Sequence, residues 1–278
     1  MLQDLINAWL AEDIGEGDHS TIASIPLEAR STARLLIKES GVIAGLEVAK
    51  QIYELTDTQA NIQWFKKDGD SVSPGDLAFI VEGNARNILT TERLILNCMQ
   101  RMSGIATKTQ ALSQKIAHTS AKLLDTRKTT PGFRLLEKEA VRIGGGSNHR
   151  FGLYDMIMLK DNHIDFSGGI EKAVHAVNAY KIARHLTIPV EVEVRNETEL
   201  REVIQTQGVD RILLDNFSPK QIRACLSMIP PHFEIEASGG ITEDNIVEFA
   251  EAGVHYISVG ALTHHVKSLD LSLKAIIH

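Results

Sequence analysis

Between Asp125 and His163 the chain reads DTRKTTPGFRLLEKEAVRIGGGSNHRFGLYDMIMLKDNH. Its cations Arg127, Lys128, His149, Arg150 and Lys160 fall at the ends of short apolar runs and beside the triplet Gly144-Gly145-Gly146. A solvated charge run would alternate with acids along a helix face. Cations at strand ends and in glycine-rich loops instead face a ligand that the backbone approaches closely. Arginine's planar fork matches a carboxylate through two parallel bonds, and lysine adds a compact point charge. Arg127 and Arg150 together point to two carboxylates on one small, multiply anionic ligand. Taken singly, Arg150 also reads as a surface residue and His149 as an ordinary loop histidine.

The opposite charge comes later in the chain. In VEVEVRN, residues two apart point the same way, so Glu191, Glu193 and Arg195 share one face and Val190, Val192 and Val194 the other. Glu193 and Asp215 on neighbouring strands form a carboxylate pair suited to Mg²⁺ held through water and diphosphate oxygens, and to positive charge developing on a sugar carbon. Zinc would require histidine or cysteine at defined spacings, and His264-His265 has no such partner in the sequence. Each charge alone also reads as a member of a buried ion-pair network. In EIEASGGITEDN, Ser238, Gly239 and Gly240 follow a strand, and Thr242 is placed to cap a helix whose free N–H groups face a phosphate. Gly260, in YISVGALTHH, follows the next strand.

Strands positioning these groups are expected at Lys122–Asp125, Met156–Lys160, Val190–Arg195, Arg211–Asp215, Glu234–Ser238 and Tyr256–Gly260. Helical stretches between them, such as Gly169–Arg184, Glu197–Thr206 and Glu243–Ala252, are long enough for crossovers between parallel strands. No strand is followed by G-x-G-x-x-G, and polar residues cluster at strand C-termini, so a (β/α) barrel is favoured over a doubly wound sheet, with six units rather than eight. The preceding residues, to about 108, read as an α+β module: an amphipathic Leu2–Leu10, strands at Ala33–Lys38 and Gly41–Ile43, and a helix at Leu46–Leu55. Asp68-Gly69 and Pro74-Gly75 give WFKKDGDSVSPGDLAFIVEGN a hairpin pattern, favoured over a carrier domain because no modification lysine follows. A long helix is expected from Thr90 to Ile116, interrupted at Ser103-Gly104 and carrying Arg93 and Arg101.

With 278 residues there is room for two domains and a sizeable core. The 29 basic and 36 acidic residues give a net charge of −7, which argues against general attraction to nucleic acid. Cys98 and Cys225, the only cysteines, form neither a metal-finger spacing nor a disulfide framework. No segment has the apolar length of a membrane span, and the N-terminus lacks signal-peptide character, so a cytoplasmic location is expected.

The motifs above resemble the quinolinate phosphoribosyltransferase family in order and in detail: DTRKTTPGFRLLEKEAV, GGGSNHRFGLYDMIMLKDNHI, EVEVRN, ILLDNF, ASGGI and SVGALTH. The likeness extends through EDIGEGDHST, GVIAGLEVA and TERLILNCMQRMSGIAT to almost the full chain. It implies an α/β protein: an N-terminal α/β sandwich (1–108), an open, incomplete α/β barrel of the type II phosphoribosyltransferases (109–270), and a segment returning to the first domain (271–278). It also implies that quinolinate and 5-phosphoribosyl 1-diphosphate react with Mg²⁺ present to give nicotinate mononucleotide, CO₂ and diphosphate. Quinolinate contacts fall to Arg127, His149, Arg150 and Lys160, with Arg93 arriving from the second subunit of a homodimer or of a hexamer built of dimers. Contacts to the donor fall to Lys128, Glu193, Asp215, Ser238, Gly239, Gly240, Gly260 and His264. Lys128, Lys160, Glu193 and Asp215 form the catalytic set, and Glu193 and Asp215 hold the metal. Neither nucleic acid nor membrane is implied. Three other readings remain: a molybdenum-operon relative of different substrate, a Schiff-base lyase using Lys160, and a phosphometabolite sensor without catalysis.

Overall fold

A computed structural model describes residues 2–276 and divides them into two compact units. The first takes 2–110, 129–145 and 262–276, and the second takes 111–128 and 146–261.

In the first unit, β1 (Arg30–Ile37), β2 (Gly41–Val42), β3 (Asn61–Trp64), β4 (Ser71–Val72) and β5 (Leu77–Asn84) precede a long helix. Ala33, Leu35 and Ile37 are buried while Arg34 is exposed, the period of two expected of a half-buried strand. β5 pairs antiparallel with β1 and with β3, which places Phe79 opposite Leu35 on one side and Trp64 on the other. The turn-rich segment is more than the expected hairpin: β4 pairs with β2 instead of β3. The Asp68-Gly69 turn is tied elsewhere, because the Asp68 carboxylate accepts the Leu46 N–H at 2.8 Å and Gly69 N donates to Ile43 O at 2.9 Å. The helix Ala85–Lys115 runs without the interruption expected at Ser103-Gly104. Both residues serve packing. Ser103 Oγ accepts the Ala44 N–H at 2.9 Å, and any Cβ at Gly104 would collide with the Lys267 carbonyl oxygen. Helix Arg134–Ile143, which follows the cation-rich segment, belongs to this unit through Arg101, whose guanidinium reaches the fully buried Glu137 at 2.9 Å.

The second unit is one parallel sheet. Its strands are β6 (Lys122–Leu124), β7 (Ile157–Leu159), β8 (Val190–Val194), β9 (Arg211–Asp215), β10 (Glu234–Ser238) and β11 (Tyr256–Ser258), in the order β6-β11-β10-β9-β8-β7. Val190, Val192 and Val194 are fully buried, as are Ile212 and Leu214, which matches a parallel sheet covered on both faces. β6 and β7 occupy the two ends of the order, and among the described residues no ladder joins them, so the barrel is open. Part of that edge is used by the glycine-rich loop, where Ser147 forms a parallel bridge with Leu124.

The last strand, β12 (Leu271–Ala275), pairs antiparallel with β1 and completes the first unit's sheet in the order β12-β1-β5-β3. Residues 277 and 278 of the expected 271–278 segment lie outside the described residues. Among the described residues no helix is long and apolar enough to cross a membrane.

Candidate active site

Every strand of the parallel sheet ends on the same side, and each tip delivers polar groups there. After β6 come Arg127, half-buried, and exposed Lys128, whose backbone N–H is held by Thr126 Oγ1 at 3.0 Å. The loop 146–150 is laid along β6 by Ser147 N to Leu123 O at 2.8 Å and Asp125 N to Ser147 O at 3.2 Å. The buried Asp125 carboxylate then accepts the His149 N–H at 2.8 Å, which brings Arg150 beside Arg127. Burial and the nearby Arg127 charge both lower the affinity of the Arg150 guanidinium for its proton. Arg127 Nε is buried and hydrogen-bonded to nothing in the described chain. Two like charges held together, one with an unsatisfied donor, have the chemistry to receive an anion.

Across the sheet the charges reverse. Lys160, at the β7 tip, places Nζ 2.9 Å from Glu193 Oε2 at the end of β8. Asp215 ends β9, and its carboxyl is raised above the ordinary value, first by burial and then by the Glu193 charge, with Lys160, Asn216 and Ser238 pulling the other way. Two carboxylates that repel each other at a polar strand tip suit a divalent cation, which would relieve that repulsion. The next residue, Asn216, has φ +57, rare for a non-glycine residue, and its side chain donates to Asp215 Oδ2 at 2.6 Å. Gly239 lies against it at φ +91, and any Cβ there would strike Asn216 Oδ1. Gly240 has open space where a Cβ would be. The Ser238-Gly239-Gly240 tip thus presents backbone to a ligand, which suits a phosphate. The expected Thr242 cap is replaced by Asn245, whose Oδ1 accepts the Thr242 N–H at 2.7 Å, and the helix Ile246–Ala250 is short. Gly260 follows β11 in the same unit.

Three more charged or titratable residues are placed as follows. Arg195 shares a strand face with Glu193 in principle, but its guanidinium binds Asp165 at 2.8 Å and Glu199 at 2.7 Å, beyond the strand end. Arg93 is exposed on helix Ala85–Lys115 and His264 is exposed at the end of helix Ala261–His264, both in the first unit.

His149, expected against the ligand, is buried with its ring turned into the sheet. Its Nε2 lies 3.0 Å from Glu191 Oε2 and 3.5 Å from Glu236 Oε2, and its Nδ1 accepts the Arg150 N–H at 2.7 Å. Burial lowers the imidazole's pKa and the two carboxylates more than offset it, to about 9. The second proton has only Nδ1 to occupy, however, and the Arg150 N–H already donates there, so the described conformation is that of the neutral ring. Glu236 and Arg211, joined at 3.1 Å, were not singled out from the sequence. The signal was there: EIEAS repeats the VEVEV device of acids two apart within an apolar strand.

Comparison with known proteins adds the following. Residues 18–103 match the family model "Quinolinate phosphoribosyl transferase, N-terminal domain", and residues 105–274 match its C-terminal counterpart. The chain is 44% identical to the chloroplastic carboxylating nicotinate-nucleotide pyrophosphorylase of Oryza sativa subsp. japonica, over 98% of this chain and 77% of that protein. It is 44% identical to a probable carboxylating nicotinate-nucleotide pyrophosphorylase of Bacillus subtilis, over 98% and 92%. It is similar to the crystal structure of NadC from Streptococcus pyogenes, with a TM-score of 0.91 and 42% identity, over 99% and 96% of the two chains.

Proposed function

The chain belongs to the quinolinate phosphoribosyltransferase family, and we propose how its strand tips perform that chemistry. It is a carboxylating nicotinate-nucleotide pyrophosphorylase, joining quinolinate to 5-phosphoribosyl 1-diphosphate and releasing CO₂ and diphosphate, with nicotinate mononucleotide as the product for NAD synthesis. The observation that carries the site assignment is the pairing of Arg127 with Arg150, held together against their repulsion with Arg127 Nε buried and unbonded by the described chain.

Arg127 and Arg150 grip the two carboxylates of the pyridine, with Lys160 as a third cation. His149 supports them from beneath. Arg93 completes the pocket from a second copy of the chain in a homodimer, a role its exposure on helix Ala85–Lys115 allows. Ser238, Gly239, Gly240 and Gly260 receive the 5-phosphate, and Lys128 the diphosphate. Glu193 and Asp215 would hold Mg²⁺, directly or through water, and that ion supplies charge neutralisation to the departing diphosphate. The repulsion that raises Asp215 supports this assignment.

The pyridine nitrogen displaces diphosphate at the anomeric carbon, and the Glu193 and Asp215 carboxylates stabilise the positive charge building on the sugar. The ring nitrogen is then cationic. The bond from the ring to its 2-carboxylate breaks, CO₂ leaves, the electron pair stays on the ring carbon beside the cationic nitrogen, and a proton completes the product. Ribosyl transfer therefore precedes decarboxylation, and a carbonyl cofactor has no role. Lys160 Nζ is engaged with Glu193 Oε2 at 2.9 Å, and that ion-pair contact counts against its use as an amine nucleophile. A cytoplasmic, reducing compartment belongs to the same proposal, supported by two buried free thiols.

The test is incubation of purified protein with quinolinate, 5-phosphoribosyl 1-diphosphate and Mg²⁺, with nicotinate in place of quinolinate as the control. Nicotinate mononucleotide and CO₂ from quinolinate alone are expected. Equal use of nicotinate would contradict a pocket built for two carboxylates.

A further inference from the structure

Beneath the strand tips, His149, Glu191 and Glu236 converge, and all three are buried. Arg211 Nη1 joins the same Glu236 oxygen at 3.1 Å. By residue type the three resemble a metal site, but a metal ligand needs a bare ring nitrogen pointing at the ion. The bond from the Arg150 N–H leaves Nδ1 without a proton, so the neutral ring carries its proton on Nε2, the atom facing the carboxylates. The arrangement therefore holds a proton.

Buried carboxylates carry a large desolvation cost, and one recognised return is conformational specificity. Here the conformation they specify is visible. The His149 N–H is fixed by Asp125, two residues before Arg127, and the Arg150 N–H is fixed by His149 Nδ1. The segments that launch both arginines are therefore tied to one residue: that of Arg127 through the Asp125 carboxylate on the His149 backbone, and that of Arg150 through the His149 ring. We propose that Glu236 and Glu191 are positioning residues: they fix His149 as its Nε2–H tautomer, so that Nδ1 holds the Arg150 backbone and aims its guanidinium into the carboxylate pocket. This rests on the quinolinate reading of that pocket and extends it to residues that touch no substrate.

Two measurements test it. In ¹⁵N-histidine-labelled wild-type protein at neutral pH, the ring nitrogens of His149, assigned by its loss in His149→Asn, are expected to show the neutral Nε2–H tautomer. A proton on Nδ1, in either the neutral or the doubly protonated ring, overturns the proposal. In Glu236→Gln, the KM for quinolinate is expected to rise about tenfold while kcat and the KM for the phosphoribosyl donor stay within about twofold. Because Ser238 lies two residues further along β10, general damage would raise both KM values together, and that result also overturns it. If the variant does not fold, the wild-type spectrum still decides. Wild-type turnover is measured first: its absence would end the functional reading while the tautomer result stands independently.

Discussion

Glu191 and Glu193 lie two residues apart on β8 and point to the same face, yet they lead different lives. Glu191 is fully buried against His149, whereas Glu193 reaches the strand tip and meets a half-exposed Lys160. Depth is the difference. Removing one partner from a buried charge pair leaves the other uncompensated at about 3–5 kcal/mol, while a solvated pair is worth about 1 kcal/mol or less. Inner charges are therefore fixed parts of the frame, and outer ones are free to exchange partners. On the function proposed above, one strand would supply both scaffold and reagent by a change of one side-chain layer.

The sharpest way to break this comparison is Arg211→Ala. It strips the inner cluster of its cation and should lower the Tm by on the order of 10 °C, read by calorimetry, with kcat of the surviving enzyme little changed. An unchanged Tm would mean the inner layer is not scaffold. Asp215→Ala, in the outer layer, should do the reverse, cutting kcat by about 100-fold or more in steady-state assays while the Tm stays near wild type. Arg150→Ala lies between the layers: its KM for quinolinate should rise about 10- to 100-fold and its KM for the phosphoribosyl donor should not. The smallest effect is in the pH dependence of stability. Burial raises the Glu236 pKa, but His149, Ser258 and Arg211 outweigh it and hold the carboxyl below its ordinary 4.5. A depressed folded value gives stability that is present above the unfolded value and lost as pH falls through the folded one. The Tm gap between wild type and Glu236→Gln should therefore narrow as pH drops below about 4.5, and a gap that widens would reverse the sign assigned here.

The six parallel strands were legible because each joins an apolar run to a polar tip, a pattern set by the strand's own residues. Arg127, Lys160, Glu193 and Asp215 were legible for the same reason, since a tip residue inherits its position from its strand. His149 was not. Its orientation depends on Glu236, 87 positions away in sequence, and spacing within one segment cannot report which way a ring turns. The glycines misled similarly. Gly104 reads as a helix breaker, but the helix persists because Lys267, from the far end of the chain, approaches where a side chain would stand. The Asp68-Gly69 turn was visible while its allegiance to Leu46 and Ile43 was not.

The unjoined edges of the parallel sheet have one more consequence. Where a closed cylinder would carry a row of backbone bonds between β6 and β7, Arg150 Nη1 donates to Met156 O at 3.3 Å, from the loop beside β6 to the residue preceding β7. That bond uses one of the five N–H donors of the guanidinium and leaves the others for a carboxylate, so one side chain can brace the open edge and hold an anion at the same time.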